Sequence, residues 1–347
     1  MARLLIACME QAGHRVRVAS ELRVFLRDAQ DVAVWADLQA AARVQSAQIA
    51  QGWRSDGAPD LWFCYHPYYK APDLLGPGLC RDFGLPYVTV ETSYSARRNA
   101  GVWAQSQAAV LAGIKAAAVN IGMTERDRAG VRAAAPAAVV AGLRPFIDES
   151  GFARVRPAPE PGHLVCVAMM RAGDKFDSYA RLAAGLARIA HLPWVLSIIG
   201  DGPLQAEVRA LFADFDAGRV RWLGRLGAGE IAAVFARAQA YVWPGCGEAY
   251  GLAYLEAQAA ALPVVAYATA GVPEVVEDDE TGILTAPGDD AAYGAAIGRL
   301  LSDAAMRGRM AARARSALQG PHSMAAAVLA LDAMLQKALR PLAQGAP

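Results

Sequence analysis

The chain has 347 residues, which exceeds the usual size of a single hydrophobic core, so we expect two domains. Hydrophobic residues make up 55% of the sequence and charged residues 19%, which is enough apolar material for packed cores and argues against disorder. The 34 basic and 33 acidic side chains nearly cancel to a net charge of +1, which excludes the strongly basic surface of a typical nucleic-acid-binding protein.

The five cysteines show no CxxC spacing, which is typical of reduced thiols rather than of a disulfide framework or a zinc site. The N-terminal apolar run LLIAC is too short for a secretory signal, and no run of about 18 uncharged apolar residues is long enough to span a membrane. We therefore expect a cytoplasmic protein. Peripheral contact with the inner face of the membrane remains open.

The chain begins with a helical pattern, ARLLIACMEQAGH, which Gly13 closes and which the apolar run VRVAS follows directly. A doubly wound domain normally begins with a strand. We therefore expect the first N-terminal strand to be missing, so that the sequence begins inside a domain through truncation, a misassigned start or unusual evolution. In this part of the chain, strands are predicted at 16–20, 61–65, 87–91, 116–121 and 137–141.

A proline-rich stretch at 144–162 has no sustained period and predicts a linker. After it, six apolar runs alternate with helical segments, which predicts a second parallel sheet, and an amphipathic helix is predicted at 323–339. The expected fold class is α/β, with an N-terminal domain at 1–145, a C-terminal domain at 146–322, and a last segment at 323–347 that could cross back to the first domain.

Ligands of open parallel sheets bind outside the carboxyl ends of the strands, and polar residues follow several strands of the second domain. In VCVAMMRAGDKF, Arg171 and Lys175 stand at the start of a helix, which suits a diphosphate, although solvated surface charges are the alternative. In IIGDGPL, Gly200 permits a tight turn, and an ordinary strand-to-helix turn explains this motif equally well.

A third such place is VWPGCGEAYGLAYLEAQAAALPVVAY, where Glu248 lies in a glycine-bearing loop and Glu256 in the apolar helix that follows. A carboxylate in such an apolar helix is costly unless it has a partner. The helix N-terminus near Gly251 offers backbone N–H groups to a phosphate, and a carboxylate one turn into the helix could accept hydrogen bonds from ribose hydroxyls. The alternative is that Glu256 simply faces solvent.

The segment GEAYGLAYLEA resembles the EX7E signature of retaining GT-B glycosyltransferases, specifically glycosyltransferase family four, with Glu248 and Glu256 at the required separation. The resemblance covers the second domain almost completely, through RAGDK, GDGP, VRWLG and TAGVPEVVEDDETGILTAPGD. It is looser over the first domain, where it rests on AGHRVRVAS, YHPYYKAPD, PYVTVETS and PFID. It implies two Rossmann-like, doubly wound domains facing a cleft, the C-terminal one holding a nucleotide-diphospho-sugar and the N-terminal one the acceptor.

The resemblance also implies roles for the matching residues. Glu248 would contact the donor sugar, Glu256 the ribose, and Arg171 and Lys175 the diphosphate, so that cations stabilise the leaving group without a metal or other cofactor. Front-face attack, with the departing phosphate taking the acceptor's proton, would retain the configuration. The expected catalytic and donor-binding residues are Arg171, Lys175, Gly200, Arg225, Glu248, Tyr250, Gly251, Leu252 and Glu256.

The sequence departs from the family pattern in the first domain. Glu91 stands where many members have a histidine near the donor sugar and could take over a sugar-hydroxyl contact. His66, at the end of LWFCYH, is the other candidate for contact with the donor or acceptor. In the second domain Asp214 and Asp216 match the DxD metal motif of the other glycosyltransferase fold, but acidic residues are ordinary at a helix end, so we expect no metal site.

The sequence therefore predicts a retaining, metal-independent, hexosyl-type glycosyltransferase. Its partners would be a nucleotide-diphospho-sugar and an unidentified glycan, lipid-linked or small-molecule acceptor. The alternative is a degenerate, non-catalytic nucleotide-sugar-binding or scaffold protein of the same fold. The missing strand and the presence of Glu91 suggest this alternative. An inverting enzyme is a third interpretation.

Overall fold

The computed structural model describes residues 1–340, apart from the side chain of Ala153. The chain divides into two compact units. Unit 1 comprises Met1–Leu143 and the chain from Ala327 onward, and unit 2 comprises Arg144–Ala326. No helix within residues 1–340 combines the length and the apolar character needed to cross a bilayer.

Unit 1 is built around one parallel sheet in which the strands lie in chain order, β1-β2-β3-β4. These strands overlap four of the five strands predicted for this part of the chain. The helices are α1 (Ala2–Gln11), α2 (Val32–Asp56), α3 (Gly76–Phe83), α4 (Val102–Ala116) and α5 (Glu125–Ala134), the strands are β1 (Trp62–Tyr65), β2 (Tyr87–Val90), β3 (Val119–Gly122) and β4 (Val140–Gly142), and a 3-10 helix covers Ala96–Arg98.

The predicted strand at 16–20 is wrong, because these residues form no regular element. A strand is stable only when a neighbouring strand satisfies its backbone N–H and C=O groups, and within residues 1–340 no strand pairs with this segment. Val18 is accordingly 68% exposed. The segment is anchored further along, where buried Leu26 donates its N–H to the carbonyl of Lys70 at 2.8 Å.

Unit 2 contains a six-stranded parallel sheet of order β10-β9-β8-β5-β6-β7. The order reverses between β5 and β8, which makes this sheet doubly wound and places a switch point at those two strands. The strands are β5 (His163–Val167), β6 (Val195–Ile199), β7 (Val220–Gly224), β8 (Ala240–Val242), β9 (Val264–Tyr267) and β10 (Gly282–Thr285), the helices are α6 (Ser150–Ala153), α7 (Asp174–Arg188), α8 (Gln205–Ala210), α9 (Ala228–Arg237), α10 (Leu252–Ala259), α11 (Asp290–Ser302) and α12 (Ala304–Leu318), and a 3-10 helix covers Val272–Glu274.

Helix α12 is absent from the sequence-based assignment. Its sequence, AAMRGRMAARARSAL, carries a weak apolar stripe, because only four of its residues are buried. The signal that indicates it is local: the side chain of Asp303 accepts a hydrogen bond from the N–H of Met306, which is an ordinary N-cap.

The stretch 144–162, predicted as a linker, is instead packed into unit 2. Phe146, Ile147 and Phe152 are at most 5% exposed, and Ile147 forms a β-bridge with Ser323. The ring of Phe152 stacks on Phe235 with centroids 5.9 Å apart. Proline prevents a regular ladder here, but the apolar residues between the prolines still bury their side chains.

The predicted tail helix is confirmed as α13 (Met324–Leu339). Its first N–H bonds to the carboxylate of Glu149 at 3.1 Å in unit 2. From Ala327 onward the helix is part of unit 1, where Leu331 and Leu335 are buried and Asp332 pairs with His14 at 2.9 Å.

The turn after β6 depends on glycine. Gly200 has a φ of +139°, and a Cβ built there would lie 2.0 Å from the carbonyl oxygen of Ala168. Gly218 also has a positive φ, +89°, but a Cβ there would meet nothing within 4 Å. Alanine substitution at each of the two glycines therefore distinguishes the cost of the backbone conformation from the cost of a steric clash.

We predict that Gly200→Ala lowers the free energy of unfolding by about 1–3 kcal/mol more than Gly218→Ala, because only the first forces two backbones apart. Gly218→Ala should cost about 1–2 kcal/mol, the ordinary penalty of a left-handed conformation. Urea unfolding followed by circular dichroism measures both. Equal losses in the two variants would contradict the close approach of the loops after β5 and β6.

Candidate functional site

The polar residues singled out in unit 2 lie at one edge of its sheet. Arg171 follows β5, Gly200 follows β6 and Arg225 follows β7, while Glu248 lies in the loop between β8 and α10. Because parallel strands all end at the same edge, the structure brings these four segments together. The loop after β8 lies directly beside the segment after β5, since β5 and β8 are neighbours in the sheet.

The loop from Trp243 to Gly251 is shaped by the ring of Tyr254. Gly245 and Gly251 have φ values of +76° and +77°, and a Cβ on either would come within about 2.5 Å of Tyr254. The hydroxyl of Tyr254 donates to the carbonyl of Trp243 at 3.1 Å. Glycine is therefore required at both positions, because the backbone turns tightly and packs directly on a buried aromatic side chain.

Lys175 and Glu248 form an ion pair between the ammonium and carboxylate groups. Both side chains are only about one-fifth exposed, at 19% and 20%. The ammonium of Lys175 also lies 5.5 Å from the ring centroid of Trp243, which is buried. The sequence predicts these two residues as separate contacts to the donor, and the structure places them in direct contact with each other.

Further ties join the same loop to the first turn of α7. Ser178 donates its hydroxyl to the carbonyl of Asp174 at 2.6 Å and accepts the N–H of Cys246 at 2.9 Å. A Cβ on Gly247 would lie 2.3 Å from the carboxylate of Asp174. The sequence analysis missed Asp174, Ser178 and Trp243. Their importance arises from contacts between segments about 70 residues apart, so no local pattern indicates it.

Glu256 lies one turn into α10, directly after the buried Leu255. It is mostly buried, and this burial raises the pKa of its carboxyl group to about 7, because the charged form loses hydration. No side chain in the described part of the protein forms a salt bridge with Glu256. The carboxylate is thus a polar group that a ligand with hydroxyl donors could satisfy.

Arg171 is exposed, and Arg225 is 81% exposed with its Nε 3.4 Å from the Asp201 carboxylate. Backbone hydrogen bonds join the segments after β5, β6 and β7: Met170 donates its N–H to the carbonyl of Asp201, and Gly200 donates its N–H to the carbonyl of Gly224, both at 2.8 Å. Both cations therefore extend from a rigid backbone into solvent at the edge where Glu248 lies.

In unit 1, His66 and Glu91 follow the neighbouring strands β1 and β2, and both have a positive φ, 58° and 55°. The His66 Nδ1 lies 3.2 Å from the carbonyl oxygen of Glu91 and 4.0 Å from its carboxylate. Burial and the nearby Glu91 charge raise the pKa of Tyr65. Two adjacent non-glycine residues in a strained conformation are a feature of functional sites, and the structure places these two candidate residues next to each other.

Asp214 and Asp216 lie in the turn that precedes β7, which is the amino edge of the sheet. Asp216 has a side chain that is 89% exposed and approaches only Arg219. They are therefore at the opposite edge from Glu248. Across residues 1–340, no cluster of three or more histidine, cysteine, aspartate or glutamate side chains has a geometry that could hold a metal ion.

A cavity of about 540 Å³ adjoins the other side of Cys246 and Gly247. Asp177 and Arg181 of α7 form one wall, and Tyr267 and Thr269 at the end of β9 form another. The sequence analysis did not predict this cavity, because its lining comes from segments far apart in the chain.

We predict that Glu256→Gln stabilises the protein at pH 8 but not at pH 4. The native carboxyl has a pKa near 7, above its usual 4.5, so the folded state loses stability as the pH rises from about 4.5 to 7 and the buried group ionises. Glutamine does not ionise. Each pKa unit corresponds to about 1.4 kcal/mol, so the gain at pH 8 is on the order of 3 kcal/mol at most.

Urea unfolding of both proteins at the two pH values measures this effect, and pH 4 is the internal control. A stability difference that is the same at pH 4 and pH 8 would show that burial does not disfavour the Glu256 charge.

The sequence of unit 2 is similar to the sequences of known glycosyltransferases. Residues 161–303 match the protein family described as "Glycosyl transferases group 1". The chain is 35% identical to the sulfoquinovosyl transferase SQD2 of Arabidopsis thaliana over 97 residues, which is 27% of this chain and 18% of that protein. It is 34% identical to a glycogen synthase of Mycobacterium tuberculosis over 174 residues, 48% of this chain and 40% of that protein. The chain thus spans less than half the length of these curated relatives.

Solved structures resemble a larger part of the chain. Sucrose-phosphate synthase from Thermosynechococcus elongatus superimposes with a TM-score of 0.66 at 19% identity, covering 87% of this chain and 79% of that one. Anabaena HepE in complex with UDP and glucose gives a TM-score of 0.67 at 16% identity, covering 95% and 88%. The chain therefore has the GT-B fold of two Rossmann-like domains, and residues 161–303 of unit 2 are similar to the glycosyl transferases group 1 family.

Proposed function

We propose that this protein is a glycosyltransferase of family four that transfers a hexosyl group from a nucleotide-diphospho-sugar to an acceptor with retention of configuration. The observation that carries the proposal is the Lys175–Glu248 ion pair, in which Glu248 lies in the loop just before α10, together with the mostly buried Glu256 one turn into that helix. Carboxylates for hydroxyl groups and cations for a diphosphate are thereby combined at one sheet edge.

In this proposal the diphosphate binds between the start of α7 and the start of α10. Arg171 and Lys175 supply positive charge, and the backbone N–H groups from Tyr250 to Leu252 supply hydrogen-bond donors. As the bond between sugar and phosphate breaks, negative charge grows on the leaving group, and donors already fixed in place stabilise it without reorganising. Lys175 is held ready by Glu248 and by the ring of Trp243.

Glu248 would accept hydrogen bonds from hydroxyls of the donor sugar, and Glu256 from those of the ribose. Burial disfavours the ionised form of Glu256 in the free protein, and two hydroxyl donors would compensate that cost. Gly200 lets the backbone approach the nucleotide, and Arg225 lies on the nucleobase side. The names of relatives lend support, since HepE has been solved with UDP and glucose and with UDP-glucose.

The reaction proposed is a front-face attack by an acceptor hydroxyl. The bond from the anomeric carbon to the donor phosphate breaks, the bond to the acceptor oxygen forms on the same face, and the departing phosphate takes the hydroxyl proton. No residue is required as a covalent nucleophile, and no metal is required because cationic side chains and backbone N–H groups balance the charge.

We predict that Glu248→Gln lowers kcat by about 100-fold or more, because it weakens the proposed hydrogen bonds to the donor sugar and removes the ion pair that positions Lys175. Glu256→Gln should instead weaken UDP binding by about 10- to 100-fold, the value of a hydrogen bond to a charged group. The measurements are product formation with a panel of nucleotide sugars, anomeric configuration by NMR, and UDP titration calorimetry.

Asp214→Asn is the matched control and should leave both quantities unchanged, because Asp214 lies at the opposite edge of the sheet. Parent-like kcat and UDP affinity in both glutamine variants would overturn the assignment of the site. UDP binding without product from any donor would identify a non-catalytic binding protein instead.

We also predict that EDTA leaves the rate of sugar transfer unchanged and that added Mg²⁺ or Mn²⁺ does not raise it. Charge compensation in this proposal comes from Arg171, Lys175 and backbone N–H groups. A rate that falls more than tenfold in EDTA and returns with a divalent cation would contradict it.

A further inference from the structure

We propose that unit 1 recognises an acceptor that carries a phosphate group, and that a cationic aromatic surface on this unit binds the phosphate. We define this surface by Arg23, Phe25, Tyr69, Lys70, Arg98 and Trp103. The inference deepens the proposed function, on which it rests, because it names the chemical class of the acceptor.

The surface lies where a ligand of a parallel sheet is expected. Tyr69 and Lys70 belong to the segment after β1, and Arg98 and Trp103 belong to the segment after β2. The carboxyl ends of adjacent parallel strands form the usual binding edge of an open sheet. Trp103 lies in the first turn of α4, and Arg98 lies in the 3-10 helix that precedes α4.

Three cations in this surface are held over aromatic rings. The Lys70 ammonium lies 5.2 Å from the ring centroid of Trp103, 5.8 Å from that of Tyr69 and 6.0 Å from that of Phe25. The Arg98 guanidinium lies 5.1 Å from the Tyr69 centroid, and that of Arg23 lies 5.8 Å from the Phe25 centroid. Lys70 therefore shares the ring of Phe25 with Arg23 and the ring of Tyr69 with Arg98.

Positive charge in this surface is not balanced by acidic side chains. In the part of the chain that the structure describes, Arg23, Lys70 and Arg98 form no salt bridge with a carboxylate. Elsewhere in unit 1 arginines do pair with acids, as Arg132 does with Glu125 at 2.8 Å. Three cations linked by shared rings and without a carboxylate partner are suited to a group with several anionic oxygens, such as a phosphate.

The backbone beneath the surface is fixed before any ligand binds. The Lys70 carbonyl accepts the N–H of buried Leu26, which holds the segment carrying Arg23 and Phe25 against the segment after β1. Ser106 of α4 donates its hydroxyl to the Tyr69 carbonyl at 2.6 Å. Because these segments are already joined, binding requires little further ordering of the chain.

A continuous row of rings connects this surface to the predicted acceptor contacts. The centroids of His66 and Tyr68 are 4.8 Å apart, and those of Tyr68 and Tyr69 are 5.4 Å apart. His66 in turn contacts Glu91. An acceptor with its reactive hydroxyl near His66 and Glu91 would therefore extend along the tyrosines and place a phosphate at Lys70 and Arg98. A sugar phosphate or polyol phosphate has this combination of groups.

The chemistry of the surface favours a small phosphorylated acceptor over a lipid bilayer. Insertion into a bilayer requires uncovered apolar side chains, and Phe25, although 38% exposed, has two cations over its ring. The rings of Tyr69 and Trp103 are likewise covered in part by Lys70. Charge, rather than apolar area, is what the surface presents.

The test measures binding of glucose 6-phosphate and of glucose to the full chain by NMR titration, with saturating UDP present to occupy the proposed donor site. We expect glucose 6-phosphate to bind at least tenfold more tightly than glucose, and Lys70→Met/Arg98→Gln to abolish that preference. Arg54→Gln is the matched control, because Arg54 also lies over a ring in unit 1, 5.7 Å from the centroid of Phe83. It should bind like the parent.

Equal binding of glucose and glucose 6-phosphate by the parent would overturn the proposal without any variant. So would a loss of preference in Arg54→Gln as large as in the double variant. Sedimentation with phosphatidylglycerol vesicles provides another arm: vesicle binding that needs Lys70 and Arg98, without binding of glucose 6-phosphate, would identify a membrane contact and also overturn it. UDP titration reports separately on the donor site, so failure of the proposed function is distinguishable from failure of this inference.

Discussion

The ion pair between Lys175 and Glu248 holds together the two helix starts on which the candidate site depends. Lys175 belongs to the first turn of α7, where the helix dipole disfavours a cation, and a carboxylate beside it offsets that cost. Both groups are largely withdrawn from water, so either one alone would be an expensive buried charge. Since α7 follows β5 and α10 follows the loop that carries Glu248, their contact joins the two sides of the switch point in the sheet.

Packing around the loop after β8 fixes the position of the loop that carries Glu248. Tyr254 fills the space under Gly245 and Gly251, and Asp174 fills the space beside Gly247, so a side chain at any of these glycines would displace the loop. As in any α-helix, the first backbone N–H groups of α10 have no partner within the helix. An aromatic ring and an ion pair thus hold the loop after β8 in one conformation, which the proposed site requires.

The two units present different electrostatics at the carboxyl ends of their strands. In unit 2 the partly buried Lys175 is paired with a carboxylate, while Glu256 lies in an apolar helix where burial raises its pKa to about 7. In unit 1 the cations Arg23, Lys70 and Arg98 lie over aromatic rings without acidic partners. The first arrangement suits a ligand with both hydroxyls and phosphates, and the second suits an anion.

The strands of both sheets were predictable because each is a short apolar run bounded by turn residues, and burial on both faces demands that composition. The failures have a common cause. The run at 16–20 has the composition of a strand but lacks a partner, and residues 144–162 have the composition of a linker but bury Phe146 and Ile147. In both cases the outcome was decided by contacts with distant segments, which local composition does not encode.

The sequence by itself determined the α/β class, the strand-then-helix order and the identity of the polar residues that follow each strand. It also allowed Glu248 and Glu256 to be predicted as a pair through the resemblance to a family signature, because their spacing is local to one loop and one helix. Only the tertiary structure decided that Lys175 contacts Glu248, that Ser178 and Trp243 support them, and that Lys70 is stacked among rings drawn from three segments. The physical reason is that such contacts depend on which strands are neighbours in the sheet, and neighbours in the sheet are separated in the chain by whole helices.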